Sequence, residues 1–343
     1  MVDAVLKVVL HVPSNYLRQI IRYDPSTDLV KRLKPDLDVW IEGAYQEFRF
    51  HLTTDTEGFR NSYSCASADA RYDLFFLGDS QTVGVGVDDA QTIPSFVAAT
   101  SQKRVLNTAC YGYSNLEELA LYRETAVSHP ARRVVLCFFA GNDPYENFKH
   151  KKMAEADRNI GTKGPQTPFE NMKKFLKQNS SIYNLLDRSR RWEVFNSVLG
   201  TMGAVTSQAP DELLIFKKNT SDAKPFWDAT EEAITALAGE ARRNGAQFLI
   251  LFVPDRYQID EGYWRQWIDK YHLDLSDFDL SIPNRSLEKF SREMGIEFLD
   301  ATPFLKTAGR AGTRVYWSID SHLNLAGNRV VAEALSEYLR VSG

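Results

Sequence analysis

Four short motifs in this 343-residue chain carry side chains suited to acyl chemistry. They are Gly78-Asp79-Ser80, the run from Asn107 to Tyr113 that contains Gly112, Gly141-Asn142-Asp143, and Asp320-Ser321-His322. A serine hydroxyl becomes a nucleophile when a base removes its proton, and histidine suits this task because its unperturbed pKa is about 6.5. A carboxylate orients the histidine, and N–H donors stabilise the oxyanion that forms. These residue types are the components of a serine esterase site.

The elements that must position these motifs follow from the hydrophobic pattern. From Tyr72 onward, short apolar runs alternate with segments of helical spacing, which is typical of βα units and a parallel sheet. Strands are predicted at 74–77, 105–107, 134–139, 248–253 and 296–299, and helices near 91–101, 115–128, 226–244, 285–294 and 324–340. Ligand sites of such sheets form beyond the carboxyl ends of the strands. We therefore expect Ser80, Gly112, Asn142 and His322 to meet at one edge of one sheet.

Two regions depart from this rhythm. Residues 1–70 are predicted to form an N-terminal extension, in which the alternation at 48–53 and the apolar run at 39–41 indicate a β-hairpin. Residues 71–343 are predicted to form the catalytic domain, with an insertion at about 145–224 that covers one face of the sheet like a cap. The apolar side chains of the insertion either pack together or line a substrate pocket.

Composition excludes several classes of protein. Hydrophobic residues make up 43% and charged residues 25%, which excludes a disordered or coiled-coil chain. Lysine and arginine total 41 against 45 acidic residues, so the net charge is -4. The basic surplus that binding to a phosphate backbone requires is missing, and we predict no nucleic-acid partner.

No cofactor or metal site is predicted. The run TVGVG after Ser80 lacks the GK[ST] ending of a phosphate-binding loop, and the six histidines form no close ligand pair. Asp274, Asp277 and Asp279 lack the spacing of a calcium loop. The three cysteines have no CxxC spacing, and Cys137 in an apolar run predicts a buried thiol.

No transmembrane segment is predicted, and the compartment stays open. The longest uninterrupted apolar run, 134–140, is far shorter than the roughly 18 to 20 residues that span a bilayer. Asp3 and Lys7 make the first residues unlike a secretory signal. Either the protein is cytoplasmic, or it is exported or membrane-associated with a segment missing from this sequence.

Taken together, the motifs resemble those of the SGNH (GDSL-type) hydrolases. FLGDSQT resembles the nucleophile block, NTACYGYSNLEEL the glycine block, FFAGND the asparagine block and DSHLNLAG the histidine block. The resemblance implies a flavodoxin-like, three-layer α/β/α sandwich with Ser80 as nucleophile and His322 as base. It also implies an oxyanion hole formed by Ser80, Gly112 and Asn142, and an acyl ester substrate, commonly acetyl, on a carbohydrate, lipid or small molecule. Residues 56–61 and 253–254 are similar to bacterial members of about this length.

Two positions depart from the family pattern. Asp320 stands two residues before His322, where three is usual, and this spacing resembles the polysaccharide O-acetyltransferase branch. Gln81 follows the serine where leucine or phenylalanine is usual, which predicts a more polar wall beside Ser80. The first hypothesis is a cofactor-independent serine esterase with Ser80, His322 and Asp320 as catalytic residues. The alternatives are an O-acyltransferase that uses a carbohydrate or other hydroxyl acceptor, and a non-catalytic glycan-binding module on the same fold.

Overall fold

The computed structural model describes residues 20–23, 31–43, 47–60, 71–160 and 209–341, without the side chains of residues 156–160. The described residues between 21 and 152 and between 210 and 341 form one compact unit. Most of the predicted insertion, including its expected loop at 161–168 and helix at 182–199, lies outside the described residues. Its bounds and the boundary at residue 70 stay predictions.

Two antiparallel hairpins precede the main sheet. β1 (Ile21–Tyr23) pairs with β2 (Lys31–Leu33), and β3 (Asp38–Glu42) pairs with β4 (Arg49–Thr53). The second pair is the hairpin that the sequence predicts. Phe50 and Leu52 of β4 are fully buried, while the alternating residues Arg49, His51 and Thr53 are exposed or half-buried, as the alternation requires.

Five parallel strands form the main sheet in the order β6-β5-β7-β8-β9. Their bounds are β5 (Tyr72–Gly78), β6 (Val105–Asn107), β7 (Ala131–Phe139), β8 (Gln247–Val253) and β9 (Glu297–Asp300). All five predicted strands are confirmed. The order is the flavodoxin type, and the topological switch point lies between β5 and β7, where such sheets open a crevice for ligands.

The described part of the chain has three short 3-10 helices, at Asp89–Gln91, Asp211–Phe216 and Leu275–Asp277. Ten α-helices of the same part connect and cover the strands. They are α1 (Ser80–Val83), α2 (Ile93–Ser101), α3 (Asn115–Thr125), α4 (Asp143–Ile160), α5 (Lys224–Arg243), α6 (Arg256–Ile259), α7 (Glu261–Tyr271), α8 (Ile282–Glu293), α9 (Thr302–Arg310) and α10 (Leu325–Val341). The five predicted helices are confirmed as α2, α3, α5, α8 and α10. None of the described helices is long and apolar enough to cross a membrane.

Both faces of the sheet are covered, which explains its continuous apolar strands. On one face, side chains such as Phe76 and Val135 pack against α2, α9 and α10. On the other face, the ring of Phe75 packs edge-on against Tyr122 of α3, with 5.2 Å between the ring centroids. The predicted three-layer α/β/α sandwich is therefore confirmed.

The first turns of α4 are fixed to the helices beside them. The buried Asn147 amide donates hydrogen bonds to Asn115 Oδ1 (2.8 Å) on α3 and to Thr230 Oγ1 (3.0 Å) on α5. The start of α4 at Asp143 directly follows the strand exit that carries Asn142, so this packing also fixes the position of Asn142.

Candidate active site

Ser80 lies at the carboxyl end of β5, beside the switch point of the sheet. Asp79 caps α1 by accepting the Gln81 N–H (2.9 Å), and Ser80 is the first residue of that short helix. A Cβ on Gly78 would lie 2.1 Å from Thr82 Oγ1, so the turn from strand to helix requires glycine there. This tight turn places the partly exposed Ser80 hydroxyl at the edge of the sheet.

His322 lies in a loop that an antiparallel bridge between Tyr316 and Leu323 closes. Its Nε2 lies 2.8 Å from Ser80 Oγ. Asp320 Oδ1 accepts hydrogen bonds from both the His322 backbone N–H (2.9 Å) and the ring Nδ1. Asp320 stands two residues before His322, and its side chain forms a turn by accepting the His322 backbone N–H. This turn brings the carboxylate within reach of the ring. With Nδ1–H donated to Asp320, Nε2 is free to accept the Ser80 proton.

The ionisation of Asp320 follows from two opposing causes. Burial alone would raise the pKa of Asp320, but hydrogen bonds from His322 and the charge of its ring outweigh burial and leave the pKa lowered. Asp320 is therefore ionised at neutral pH and available to stabilise an imidazolium beside it.

Asn142 connects the exits of β7 and β5. Its Nδ2 donates a hydrogen bond to Asp79 Oδ2 (3.1 Å), and the second hydrogen on Nδ2 stays available for another acceptor. Burial raises the pKa of Asp79, and its hydrogen bonds with Gln81 and Asn142 and the charge of His322 offset that rise only in part. Asp79 orients the Asn142 amide from the residue next to Ser80.

Gly112 lies in the loop after β6, and its φ of +61° favours glycine. Two contacts fix this loop. The Cys110 N–H donates to the Gly78 carbonyl (3.2 Å), and Lys31 Nζ from β2 donates to the Gly112 carbonyl (2.8 Å). The first contact places the loop along the exit of β5. The second one ties it to the N-terminal hairpins.

The side chain of Gln81 is only 2% exposed and is turned toward the His322 loop. Its Nε2 donates to the Ser321 carbonyl (3.2 Å), and its Oε1 accepts the Leu323 N–H (3.0 Å). The sequence predicts that this residue makes the wall beside Ser80 more polar. The structure instead uses its amide to hold the backbone on both sides of His322.

Arg60 binds the N-terminal hairpins to the segment after α1. The side chain is 1% exposed, and all five of its N–H donors have acceptors. The acceptors are the carbonyls of His51, Val83, Gly84 and Val87 and the carboxylate of Asp89, at 2.6 to 2.9 Å. Sequence analysis missed this role, although Arg60 lies within the family-like segment at 56–61.

Arg256 holds the His322 loop from the β8 side. The nearly buried guanidinium donates to the carbonyls of Trp317 (3.0 Å) and Ser318 (2.8 Å) and stacks on the Tyr263 ring at 3.9 Å. The guanidinium also pairs with Asp260 one turn further along (3.1 Å). No motif of the sequence identified this arginine, because its partners in the His322 loop are backbone carbonyls.

Asp255, at the exit of β8, is a second acid near the asparagine block. Burial raises its pKa to about 7, and a hydrogen bond from the Tyr257 N–H and the charge of Arg256 only partly offset this. Its Oδ2 occupies space beside Gly141, where a Cβ would lie 2.3 Å away. The sequence analysis did not select this residue.

Two further buried acids lie between α3 and α4. Asp143 Oδ2 accepts the Phe139 N–H (2.9 Å), and Asn115 donates to both Asp143 (3.3 Å) and Glu118 (2.9 Å). Burial raises the pKa of both carboxyls well above the ordinary range, and the negative charges of neighbouring acids add to the rise. Both carboxyls lie inside one buried network of hydrogen bonds with Asn115.

In the described ranges, no cluster of three or more histidine, cysteine, aspartate or glutamate side chains could hold a metal ion. Cys110 and Cys137 are buried free thiols, and burial raises the pKa of Cys110 to about 12. Both sulfurs are therefore held protonated and poorly nucleophilic. Two adjoining cavities of about 410 and 440 Å³ lie between α6, α8 and α9, and none of the four motifs lines them.

The sequence matches no family model and no curated protein. Among solved structures, the chain is similar to a GDSL-like lipase from Bacteroides thetaiotaomicron, with 11% identity, a TM-score of 0.42, and coverage of 83% of this chain and 95% of that one. It is also similar to the esterase EstA from Pseudoalteromonas (9%, 0.39, 79% and 97%) and to Axe2, an acetyl-xylooligosaccharide esterase from Geobacillus (14%, 0.40, 78% and 93%). A further similar structure is described as a putative lipolytic protein of the G-D-S-L family from Desulfitobacterium hafniense (13%, 0.42, 78% and 99%).

Proposed function

We propose that this protein is a serine esterase that cleaves a short-chain, acetyl-like ester through a covalent acyl-enzyme on Ser80. The observation that carries the proposal is the contact of 2.8 Å between Ser80 Oγ and His322 Nε2, with Asp320 hydrogen-bonded to the opposite ring nitrogen. A histidine side chain can pair with many kinds of partner. His322 links a hydroxyl at the switch point of the sheet to an ionised carboxylate.

In the first half of the reaction, Ser80 Oγ attacks the ester carbonyl carbon while its proton passes to His322 Nε2. Asp320 stabilises the imidazolium that results. The N–H groups of Ser80 and Gly112 and the free hydrogen of the Asn142 amide donate to the oxyanion. The intermediate collapses when the ester C–O bond breaks and the imidazolium gives its proton to the departing alcohol oxygen.

In the second half, water attacks the acyl carbon of acyl-Ser80 and gives its proton to His322. The bond to Ser80 Oγ breaks, the oxygen regains the proton, and the carboxylic acid leaves. When a sugar hydroxyl takes the place of water, the same residues perform acyl transfer. Product analysis with and without a hydroxyl acceptor distinguishes the esterase from the acyltransferase.

The test is intact-mass labelling with a fluorophosphonate, in which Ser80 Oγ displaces fluoride from phosphorus. We expect one adduct on the native chain and none on Ser80→Ala. The labelling rate of His322→Ala should be lower than the native rate by about 100-fold or more, because the base is lost. Ser128→Ala is the matched control: Ser128 is exposed and precedes β7, at the opposite edge of the sheet.

Absence of an adduct on the native chain, or equal labelling of Ser80→Ala, contradicts the proposal. In that case, tight glycan binding that survives Ser80→Ala would favour the binding-module hypothesis. An adduct that depends on both Ser80 and His322 leaves the acyl donor and the acceptor as the next questions.

A further inference from the structure

The loop that carries Asp320 and His322 has neither helix nor strand between residues 317 and 322. Such a loop must find partners for its backbone groups among side chains or water. Three consecutive N–H groups point to one carboxylate: both oxygens of Glu47 accept from Ile319 (3.0 Å each), and Glu47 also accepts from Ser318 and from Asp320 (3.0 Å).

Glu47 belongs to the connection between β3 and β4, 273 positions before Asp320. The next residue, Phe48, is buried and packs on Trp317, with 5.1 Å between the ring centroids. The same hairpin thus contacts the loop through a charge and through an aromatic ring. The polar contact is charge-assisted, a kind of hydrogen bond about twice as strong as a neutral one.

The loop is held from two sides. Glu47 takes its N–H groups, while Arg256 takes the carbonyls of Trp317 and Ser318. Ile319 between them is 55% exposed, so little apolar packing fixes this segment. Residues 318–320 therefore depend on the two charged side chains, while Gln81 holds the backbone on both sides of His322.

We propose that Glu47 is a positioning residue for the Asp320–His322 pair. The β3–β4 hairpin then contributes to the active site by fixing the loop that carries these two residues. The inference rests on the proposed esterase function. Glu47 fixes the Asp320 backbone, and Asp320 in turn fixes the imidazole against Ser80. Loss of the carboxylate leaves three N–H groups without their acceptor and lets Asp320 move away from the ring.

The experiment compares fluorophosphonate labelling of the native chain with Glu47→Ala, Glu47→Gln and Glu42→Ala. Glu42→Ala is the matched control, because Glu42 is an exposed carboxylate on the same hairpin. We expect Glu47→Ala to lower the labelling rate about tenfold or more, while the final stoichiometry stays at one adduct per chain. Glu47→Gln keeps one acceptor oxygen and should recover part of the rate, and Glu42→Ala should match the native chain.

The pH profile separates positioning from general destabilisation. With Asp320 displaced, the imidazolium loses its stabilising carboxylate, so the midpoint of the pH–rate curve for Glu47→Ala should move to lower pH. A variant that is merely less stable would keep the native midpoint, and its labelling rate would equal the native rate once it is divided by the folded fraction, which denaturant titration measures. That result, or a native rate with full stoichiometry, would overturn the inference while native labelling of Ser80 still supports the esterase. No labelling of the native chain would overturn both.

Discussion

Gln81, the residue after the proposed nucleophile, hydrogen bonds to the backbone on both sides of His322, the proposed base. Its amide donates to the Ser321 carbonyl and accepts the Leu323 N–H. One buried side chain thus connects the turn that carries Ser80 to the loop that carries His322. These two hydrogen bonds help to fix the distance between the Ser80 hydroxyl and the His322 ring. Since leucine and phenylalanine have no amide, neither could make this connection.

Substitution of Gln81 by leucine should destabilise the protein and slow the labelling of Ser80. Leucine has nearly the volume of glutamine but leaves a buried N–H and a carbonyl without their partner. We expect the free energy of unfolding to fall by about 1 to 3 kcal/mol, measured by urea denaturation. Gln266→Leu, on the exposed face of α7, is the control and should change it by less than about 0.5 kcal/mol. Equal effects of the two substitutions would contradict the assigned role.

Arg60→Met should be among the most destabilising substitutions in the chain. Methionine replaces the stem of the side chain but leaves four carbonyls without their Arg60 donor, and the Asp89 carboxylate loses its ion pair and retains only the Thr53 donors. Breaking a buried ion pair by removal of one partner typically costs about 3 to 5 kcal/mol. Denaturant titration measures the loss, with Arg49→Met on an exposed position of β4 as the control. A loss below about 1 kcal/mol would show that the contacts of Arg60 are dispensable.

Gly141→Ala should disturb the asparagine block. Its Cβ would lie 2.3 Å from Asp255 Oδ2 and 2.5 Å from Phe139 Cζ, and both neighbours are buried. We expect a loss of about 1 to 3 kcal/mol in unfolding free energy, with slower ester turnover because Asn142 is displaced. Gly309→Ala is the control: it lies in α9 with nothing nearer than 4.0 Å, so its stability should stay equal or rise by up to about 1 kcal/mol. Unchanged turnover in Gly141→Ala would argue against Asn142 as an oxyanion donor.

The raised pKa of Asp255 predicts a pH dependence of stability. The folded state holds the Asp255 proton up to about pH 7, whereas the unfolded chain releases it near 3.8. As pH rises between these values, the folded state binds more protons than the unfolded one, so the contribution of Asp255 to stability falls. The loss reaches about 4 kcal/mol at pH 7 and above.

Asp255→Asn removes this titration and retains a side chain that can accept the Tyr257 N–H. We expect the unfolding free energy of the variant, relative to the native chain, to increase from pH 4 to pH 7. Denaturation at several pH values measures this difference. A constant difference would mean that Asp255 titrates at its ordinary pKa in the folded protein.

The sequence predicts the strands and the candidate site because both follow local patterns. Apolar runs such as 134–139 mark buried parallel strands, and each motif directly follows a strand or precedes the last helix. Ser80 and His322 could therefore be selected without knowledge of the fold. Their residue types already define the chemistry that the geometry supports.

The supporting side chains could not be predicted in this way. Glu47, Arg60 and Gln81 bind backbone groups of other segments, and a backbone N–H or carbonyl has no residue type to recognise. Five of the ten described α-helices were not predicted either: α1, α4, α6, α7 and α9. For two of them the reason is different. α9 carries a proline at its first turn, and α7 has aromatic residues four positions apart at 263, 267 and 271. Both features indicate a helix, but the sequence analysis did not use them.

The separation of Ser80 and His322 along the chain has a consequence for biosynthesis. The two residues are 242 positions apart, and His322 precedes the first residue of α10 by three positions. At a translation rate of about 5 to 20 residues per second, the ribosome adds the base roughly 12 to 50 s after the serine. During that interval the nascent chain carries a serine without its base. The acyl-enzyme proposed above can therefore form only after residue 322 has been added to the chain.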